Sequence, residues 1–356
     1  MTIHSPYASV GATRNIMQRY GLDTKKALGQ HFLINDGVVG KICDLSQLAS
    51  DDVVFEIGPG IGTLTYALLS GARAVVSVER DRDMIEILKE TCSDFKDSFA
   101  LINADALKVK PEDLSLALAK LPALHSINVN DAGMAFSKQT PEAQSTIAQA
   151  PKTQSSNIQA SQTQSLLMDK PHYFALPGKL IANLPYAVAA TLVLEVFQKL
   201  DSIQSATVMV QGEVADRMCA KPGSKDYGAY TIKLALYARP AGRFAVKPQN
   251  FFPPPRVDSA VLRLERTVLS DENGQIVQKE VLNATSIMAD AAFANRRKTL
   301  LNSCKNFFAP WGEKGDAIIA ELPQILVDLG IDGRRRGEAL SLAEFLKLGK
   351  AFVSFL

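Results

Sequence analysis

Four short segments carry residue types that could do chemistry together. The run Glu56-Ile57-Gly58-Pro59-Gly60-Ile61-Gly62 closes the apolar stretch Val53–Ile57. Glycines at such a point let the backbone turn sharply and approach a ligand closely. Their spacing is G-x-G-x-G, not G-x-G-x-x-G, which suits a ligand with no pyrophosphate to cradle. Pro59 removes one N–H and stiffens the turn. Glu79, 17 residues after Gly62, can accept both hydroxyls of a ribose. Asp105, in Asn103-Ala104-Asp105-Ala106, can accept the exocyclic amine of an adenine or cap a following helix. Alone, each has a plain structural reading: a tight turn, a solvated strand end, a cap. In this order they specify an adenosine-bearing ligand.

The fourth segment, Asn183-Leu184-Pro185-Tyr186, sets the reaction. An amino group on adenine is a poor nucleophile, because its lone pair is delocalised into the ring. An Asn side-chain oxygen and a neighbouring carbonyl can accept both N–H bonds, favouring a pyramidal amine whose lone pair faces a methyl donor. Pro185 fixes φ and aims the preceding carbonyl inward. Tyr186 offers a face on which an extruded base can stack. A sulfonium donor is an excellent leaving group, so no strong general base is required. The competing reading is an Asx-Pro turn beside a core tyrosine.

These segments need strand ends to hold them. Val53–Ile57, Ala74–Val78, Phe99–Ile102, Leu180–Ala182 and Ala206–Val210 read as five buried strands. Between them Ile61–Ser70, Met84–Glu90, Leu114–Leu118 and Ala187–Leu200 read as helices. This alternation predicts a parallel α/β sheet with right-handed crossovers. Tyr230–Tyr237 and Val257–Leu264 alternate apolar and polar, as antiparallel strands near a sheet edge do. Residues 128–170 are rich in Gln, Ser, Thr and Ala and break the rhythm, as a disordered insertion would. Ser270–Gly274 reads as a turn, after which only helical periods remain, predicting a small all-α domain over 275–356. The expected domains are a segment 1–50 closing over the ligand site, a catalytic domain 51–268, and that helical domain.

Composition limits the partners. The 356 residues are 47% hydrophobic and 21% charged, with 39 Lys plus Arg against 37 acidic residues. A net charge of +2 excludes a uniformly basic coat, so an anionic partner must meet a local patch. Arg14, Arg19, Lys25 and Lys26, Arg296-Arg297-Lys298 and Arg334-Arg335-Arg336 are the candidates. The four cysteines lie far apart without a Cys-x-x-Cys, which argues against a metal site or a disulfide framework. No apolar run reaches the ~18 residues of a membrane helix, and the N-terminus lacks an apolar signal core. A cytoplasmic protein without membrane contact is expected.

The chain resembles the ribosomal RNA adenine N6,N6-dimethyltransferases of the small subunit, from about residue 25 to the C-terminus and excluding 128–170. The resemblance is carried by Leu28-Gly29-Gln30-His31-Phe32-Leu33, the glycine loop, Asn183–Tyr186 and Val210-Gln211-Gly212-Glu213-Val214-Ala215-Asp216-Arg217. Phe251-Phe252-Pro253-Pro254-Pro255-Arg256-Val257-Asp258-Ser259-Ala260-Val261 and Ala294-Asn295-Arg296-Arg297-Lys298-Thr299-Leu300 extend it. It implies a class I methyltransferase fold, a Rossmann-like, mostly parallel sheet with helices on both faces. It also implies S-adenosylmethionine, held by His31, Leu33, Gly58, Gly60, Glu79, Asp105 and Asn183, and no metal. Asn183, Leu184, Pro185 and Tyr186 would present the amine, Phe251 would stack on the base, and Arg296, Arg297 and Lys298 would meet RNA. The implied partner is small-subunit ribosomal RNA in an assembling subunit, approached by a monomer.

Three features depart from the family pattern. His31 stands where many relatives carry Asn, Gly212 replaces a usual Lys, and 128–170 has no counterpart in the family's short loop. Two neighbouring readings remain: a large-subunit adenine dimethyltransferase of the macrolide-resistance type, and a factor acting mainly by binding the assembling subunit. A nicotinamide-dependent dehydrogenase fails on glycine spacing and on the lack of a catalytic His or Lys near a strand end.

Overall fold

The computed structural model describes residues 3–22, 31–125 and 176–355. The 128–170 segment, Lys25, Lys26 and Leu28-Gly29-Gln30 lie outside the described residues.

Val53–Ile57 forms β2, Ala74–Glu79 β3, Phe99–Asn103 β4, Lys179–Asn183 β5 and Ser205–Gln211 β6, all mutually parallel where they pair. Runs such as Val53-Val54-Phe55 and Ala74-Val75-Val76 form strands because both faces are buried, so no polar alternation is needed. Phe55 and Ile57 enter the core cluster on one face, with Leu180, Ala182 and Phe197. Val54, Val75 and Ile181 enter the cluster on the other, with Val39, Leu64 and Leu68. Ala238–Val246 (β7) and Ser259–Arg266 (β9) complete a seven-stranded sheet of order β4-β3-β2-β5-β6-β9-β7, in which β9 runs antiparallel to both neighbours. A separate ribbon pairs β1 (Phe32–Leu33) with β8 (Phe251–Phe252), matching Phe32 to Phe252 and Leu33 to Phe251.

One expectation fails. Tyr230–Tyr237 is not a strand: Ala229–Ala235 is helical, and the strand begins at Ala238. The helix is covered from two sides, with Ile232 in the C-terminal core and Leu234 in the sheet core. Apolar residues at alternate positions satisfied both contacts and imitated a strand period. The true strand was hidden because it is a polar edge strand carrying Pro240 and an irregularity between Pro240 and Gly242.

The C-terminal region is helical: Lys279–Phe293, Leu300–Phe308, Glu313–Asp328 and Leu342–Phe352 surround Met288, Phe308, Leu322, Phe345 and Phe352. Gly349 permits the closest crossing, since a Cβ there would lie 2.0 Å from Thr285 Oγ1. Polar contacts tie this region to the sheet domain. Tyr227 Oη donates to Leu340 O at 2.8 Å, Gly223 N donates to Glu338 O at 2.7 Å, and Lys233 pairs with Asp290 at 2.6 Å. Among the described residues, no helix is long and apolar enough to cross a membrane.

Candidate active site

The carboxyl ends of β2, β3, β4 and β5 meet along one edge of the sheet, and the four chemistry-bearing segments sit there. The backbone leaves β2 through Gly58 (φ +69°), Gly60 (φ +58°) and Gly62 (φ +88°), a left-handed series only glycine adopts without strain. Space also matters at Gly60, where a Cβ would sit 3.2 Å from the Phe32 ring. The helix Thr63–Gly71 starts directly after the loop. A cavity of about 100 Å³ beneath it is lined by His31, Leu33, Glu56, Gly58, Gly60, Glu79 and the Asn183–Tyr186 segment. It opens toward a cleft of about 880 Å³ that adds Asp105, Leu107, Val188 and Gln211.

Glu79 is 6% exposed at the end of β3. Its Oε1 accepts from Asp81 N at 2.8 Å and its Oε2 from Gly60 N at 3.3 Å. Burial pushes its pKa up, opposed by those backbone donors. Asp105 Oδ1 caps the short turn Ala106–Lys108 through Leu107 N at 3.1 Å. Its Oδ2 has no partner among the described residues, so capping leaves one oxygen facing the cleft-lining set.

The tetrapeptide follows β5. Leu184 is 2% exposed, and packing its side chain into the sheet core stabilises the segment by roughly 1.5–3 kcal/mol. Leu184 N donates to Met209 O at 3.1 Å. Asn183 Nδ2 donates to His31 O at 3.2 Å, which leaves Oδ1 as the side chain's acceptor. Among the described residues nothing donates to Asn183 Oδ1 or to the Leu184 carbonyl, although both residues line the cavity. Tyr186 is half-buried, and its ring stacks on His31 with centroids 5.6 Å apart and planes at 28°. Burial raises the phenol pKa, so Tyr186 stays neutral.

Of the sequence-derived set, His31, Leu33, Gly58, Gly60, Glu79, Asn183, Leu184, Pro185 and Tyr186 converge on the cavity, and Asp105 lines the adjoining cleft. Phe251 is the correction: it is 2% exposed, packed with Leu33, Val39 and Val261, and lines neither space. Its register against Leu33 makes it the anchor of the β1–β8 ribbon, not a stacking face. Arg296, Arg297 and Lys298 lie in the turn between Lys279–Phe293 and Leu300–Phe308, not on a helix. Arg296 is tied to Glu338 at 3.0 Å, whereas Arg297 and Lys298 are exposed and unpaired among the described residues. The Arg334-Arg335-Arg336 run is largely committed: Arg334 pairs with Asp332, and Arg335 with Glu344, whose carboxyl it draws down to about 2.

Glu56 was missed as a site residue. It is 1% exposed, lines the cavity, and accepts from Ser77 Oγ at 2.8 Å. The signal was available: a single carboxylate inside an otherwise apolar strand. Burial raises its pKa from 4.5 to about 7. A carboxyl raised in the folded state imposes no penalty below pH 4.5, where both states hold the proton. Stability is then lost as pH climbs from 4.5 through about 7, amounting to about 3 kcal/mol at one pKa unit per 1.36 kcal/mol. Glu56→Gln is therefore expected to stabilise the ligand-free protein by about this amount at pH 8.5 and hardly at all at pH 4.5. Urea unfolding at the two pH values checks it; equal effects at both would mean that burial does not raise the Glu56 pKa.

A seven-stranded sheet with one antiparallel strand inserted next to the edge, a glycine loop after β2 and an acid at the end of β3 define a class I methyltransferase. The match to the family described as ribosomal RNA adenine dimethylase spans residues 21–347. The chain belongs to that family. It is 33% identical over 353 residues to the ribosomal RNA small subunit methyltransferase A of Geobacillus kaustophilus (strain HTA426), covering 98% of both chains. It is 34% identical over 351 residues to the protein so named from Geobacillus thermodenitrificans (strain NG80-2), covering 99% of this chain and 98% of that one. Among solved structures, a dimethyladenosine transferase from Plasmodium falciparum superposes with a TM-score of 0.61 at 21% identity, over 91% of this chain and 98% of the other. The 23S rRNA methyltransferase ErmE gives 0.52 at 20% identity, over 90% and 98%. At these identities the two structures establish the fold.

Proposed function

We propose that this protein dimethylates the N6 amines of two adjacent adenosines in a hairpin loop near the 3′ end of small-subunit ribosomal RNA, with S-adenosylmethionine as donor. The observation that carries this reading is the pair of open acceptors, Asn183 Oδ1 and the Leu184 carbonyl, beside the half-buried Tyr186 ring. The residues present fit S-adenosylmethionine. Glu79 suits the ribose hydroxyls, Asp105 Oδ2 the adenine amine, and the buried Thr63 Oγ1, without a hydrogen-bond partner among the described residues, belongs to a residue on the cavity wall. When bound, S-adenosylmethionine supplies an electrophilic methyl group on a positively charged sulfur.

The chain's own residues do the rest. The two acceptors hold the N6 hydrogens, so the amine lone pair leaves conjugation and points into the cavity. Tyr186 supports the base through its ring face. The lone pair would form the new N–C bond as the donor's methyl–sulfur bond breaks, its electron pair staying on sulfur to leave a neutral thioether, and the surplus proton would pass to water in the open cleft, with no side chain required as base. The names of the two Geobacillus relatives favour a small-subunit substrate. In this reading the protein acts in the cytoplasm, as a monomer, on an assembling subunit. Segment 1–50 would close over the donor, 51–268 would hold the chemistry, and 275–356 would contact RNA.

The test uses purified protein, tritiated S-adenosylmethionine and small subunits from a strain lacking this modification, digested to nucleosides. Label in N6,N6-dimethyladenosine is expected. Label only in large-subunit RNA would move the chain to the resistance branch, and subunit binding without label anywhere would leave an assembly factor. The RNA-contact role has its own check. Replacing both Arg297 and Lys298 by Ala is expected to weaken subunit binding and to reduce the slope of log K against log salt by roughly 0.7–0.9 per lost phosphate contact. An unchanged slope would remove this turn from the interface.

A further inference from the structure

The segment from Pro253 to Ser259 touches the catalytic rings at both of its ends. Pro253 O accepts from His31 Nδ1 at 2.8 Å, and His31 is the ring stacked on Tyr186. At the other end, Ser259 Oγ bonds Tyr186 Oη at 2.5 Å. Ser259 is 1% exposed and opens β9, locked between Gln211 of β6 and Val246 of β7. Its hydroxyl therefore has little freedom, while Tyr186 projects from a half-exposed loop after β5. A ring fixed only at Cβ can swing about two torsions. Bonded at its Oη to a rigid strand, its plane is set before any base arrives.

Resting on the proposal that Tyr186 stacks on the target adenine, we infer that Ser259 is a positioning residue for that ring. Its bond holds the stacking plane at the angle that keeps N6 between Asn183 Oδ1 and the Leu184 carbonyl. Misplacing reacting groups by about an ångström can cost on the order of 10²-fold in rate. An anchor of this kind acts on the bound complex, so its loss falls on kcat.

The test is a double-mutant cycle on methyl transfer to unmodified small subunits with Ser259→Ala, Tyr186→Phe and the pair. Each single change deletes the same bond from a different side. Ser259→Ala is expected to lower kcat about tenfold, with the KM for subunits and the Kd for S-adenosylmethionine within threefold of wild type. Tyr186→Phe is expected to match it, and the pair to lose no more than either alone. An unchanged kcat in Ser259→Ala, or multiplying losses in the pair, would overturn the inference. So would a fall confined to KM. Thermal melts of each variant separate a folding defect from a rate defect. Where Ser259→Ala melts too low to assay, Tyr186→Phe and Ser259→Thr, which keeps the hydroxyl, decide: the inference stands if Tyr186→Phe lowers kcat while Ser259→Thr keeps it near wild type, and falls if the two behave alike. A wild-type protein that methylates no RNA would instead defeat the substrate reading, independently of Ser259.

Discussion

Asn183→Ala is expected to reduce methyl transfer by roughly 10²–10³-fold while leaving subunit binding intact, the scale seen when one preorganised hydrogen-bond partner of a transition state is removed. Asn183 stands at the end of β5, where its Cα partner is Met209 of β6. Its Nδ2 is engaged by His31 O at 3.2 Å, so Oδ1 is presented toward the cavity in one orientation. Alanine removes the acceptor that holds one N6–H, and the amine returns to conjugation with the ring. The loss must therefore appear in kcat with little change in the RNA term. Single-turnover methylation with saturating variant protein measures the chemical step directly. A loss confined to subunit affinity would show that Asn183 only shapes the RNA-facing wall.

The fraction of this site legible in the sequence follows from how each piece is built. Val53–Ile57 was read to the residue because its strand is buried on both faces and ends at glycines whose positive φ values have no other economical explanation. Glu79, Asp105 and Asn183 fall at or just after the ends of strands that are apolar enough to recognise, so placing the strands placed them. The contacts between distant segments were hidden. The β1–β8 ribbon joins two-residue strands more than 200 positions apart, too short to show any period. It decides that Phe251 is core, that His31 reaches Pro253 O, and that Phe252 lies under the Arg14 guanidinium at 5.2 Å. Charge runs misled for a related reason. Arg335 and Arg19 look free in sequence, but Glu344 and Glu90 engage them across the fold.

Glu79→Gln is expected to raise the Kd for S-adenosylmethionine about 10²-fold, while kcat at saturating donor stays within a fewfold of wild type. The carboxylate is held in place by Gly60 N and Asp81 N, one on each oxygen, and each oxygen keeps a further lone pair for a ribose hydroxyl. A glutamine amide keeps one acceptor and turns an NH₂ group toward a backbone N–H, so one ribose contact is lost and the other loses its charge. Hydrogen bonds to charged groups contribute about 1.5–3 kcal/mol each, which sets the scale of the effect. Fold stability should move far less. Burial already pushes the Glu79 pKa up, so the folded protein holds this charge at a cost that Gln relieves while it gives up one backbone bond. Calorimetric titration gives the Kd, and thermal melts with and without S-adenosylmethionine give an independent reading, because a ligand that binds only the folded state stabilises it by RT ln(1 + [L]/Kd). The wild type should show that rise and the variant should lose it at equal ligand concentration. Equal affinities would move the ribose to other residues of the cleft. Unequal affinities with a collapsed kcat would mean that Glu79, through the Gly60 loop, also aligns the methyl group with Asn183.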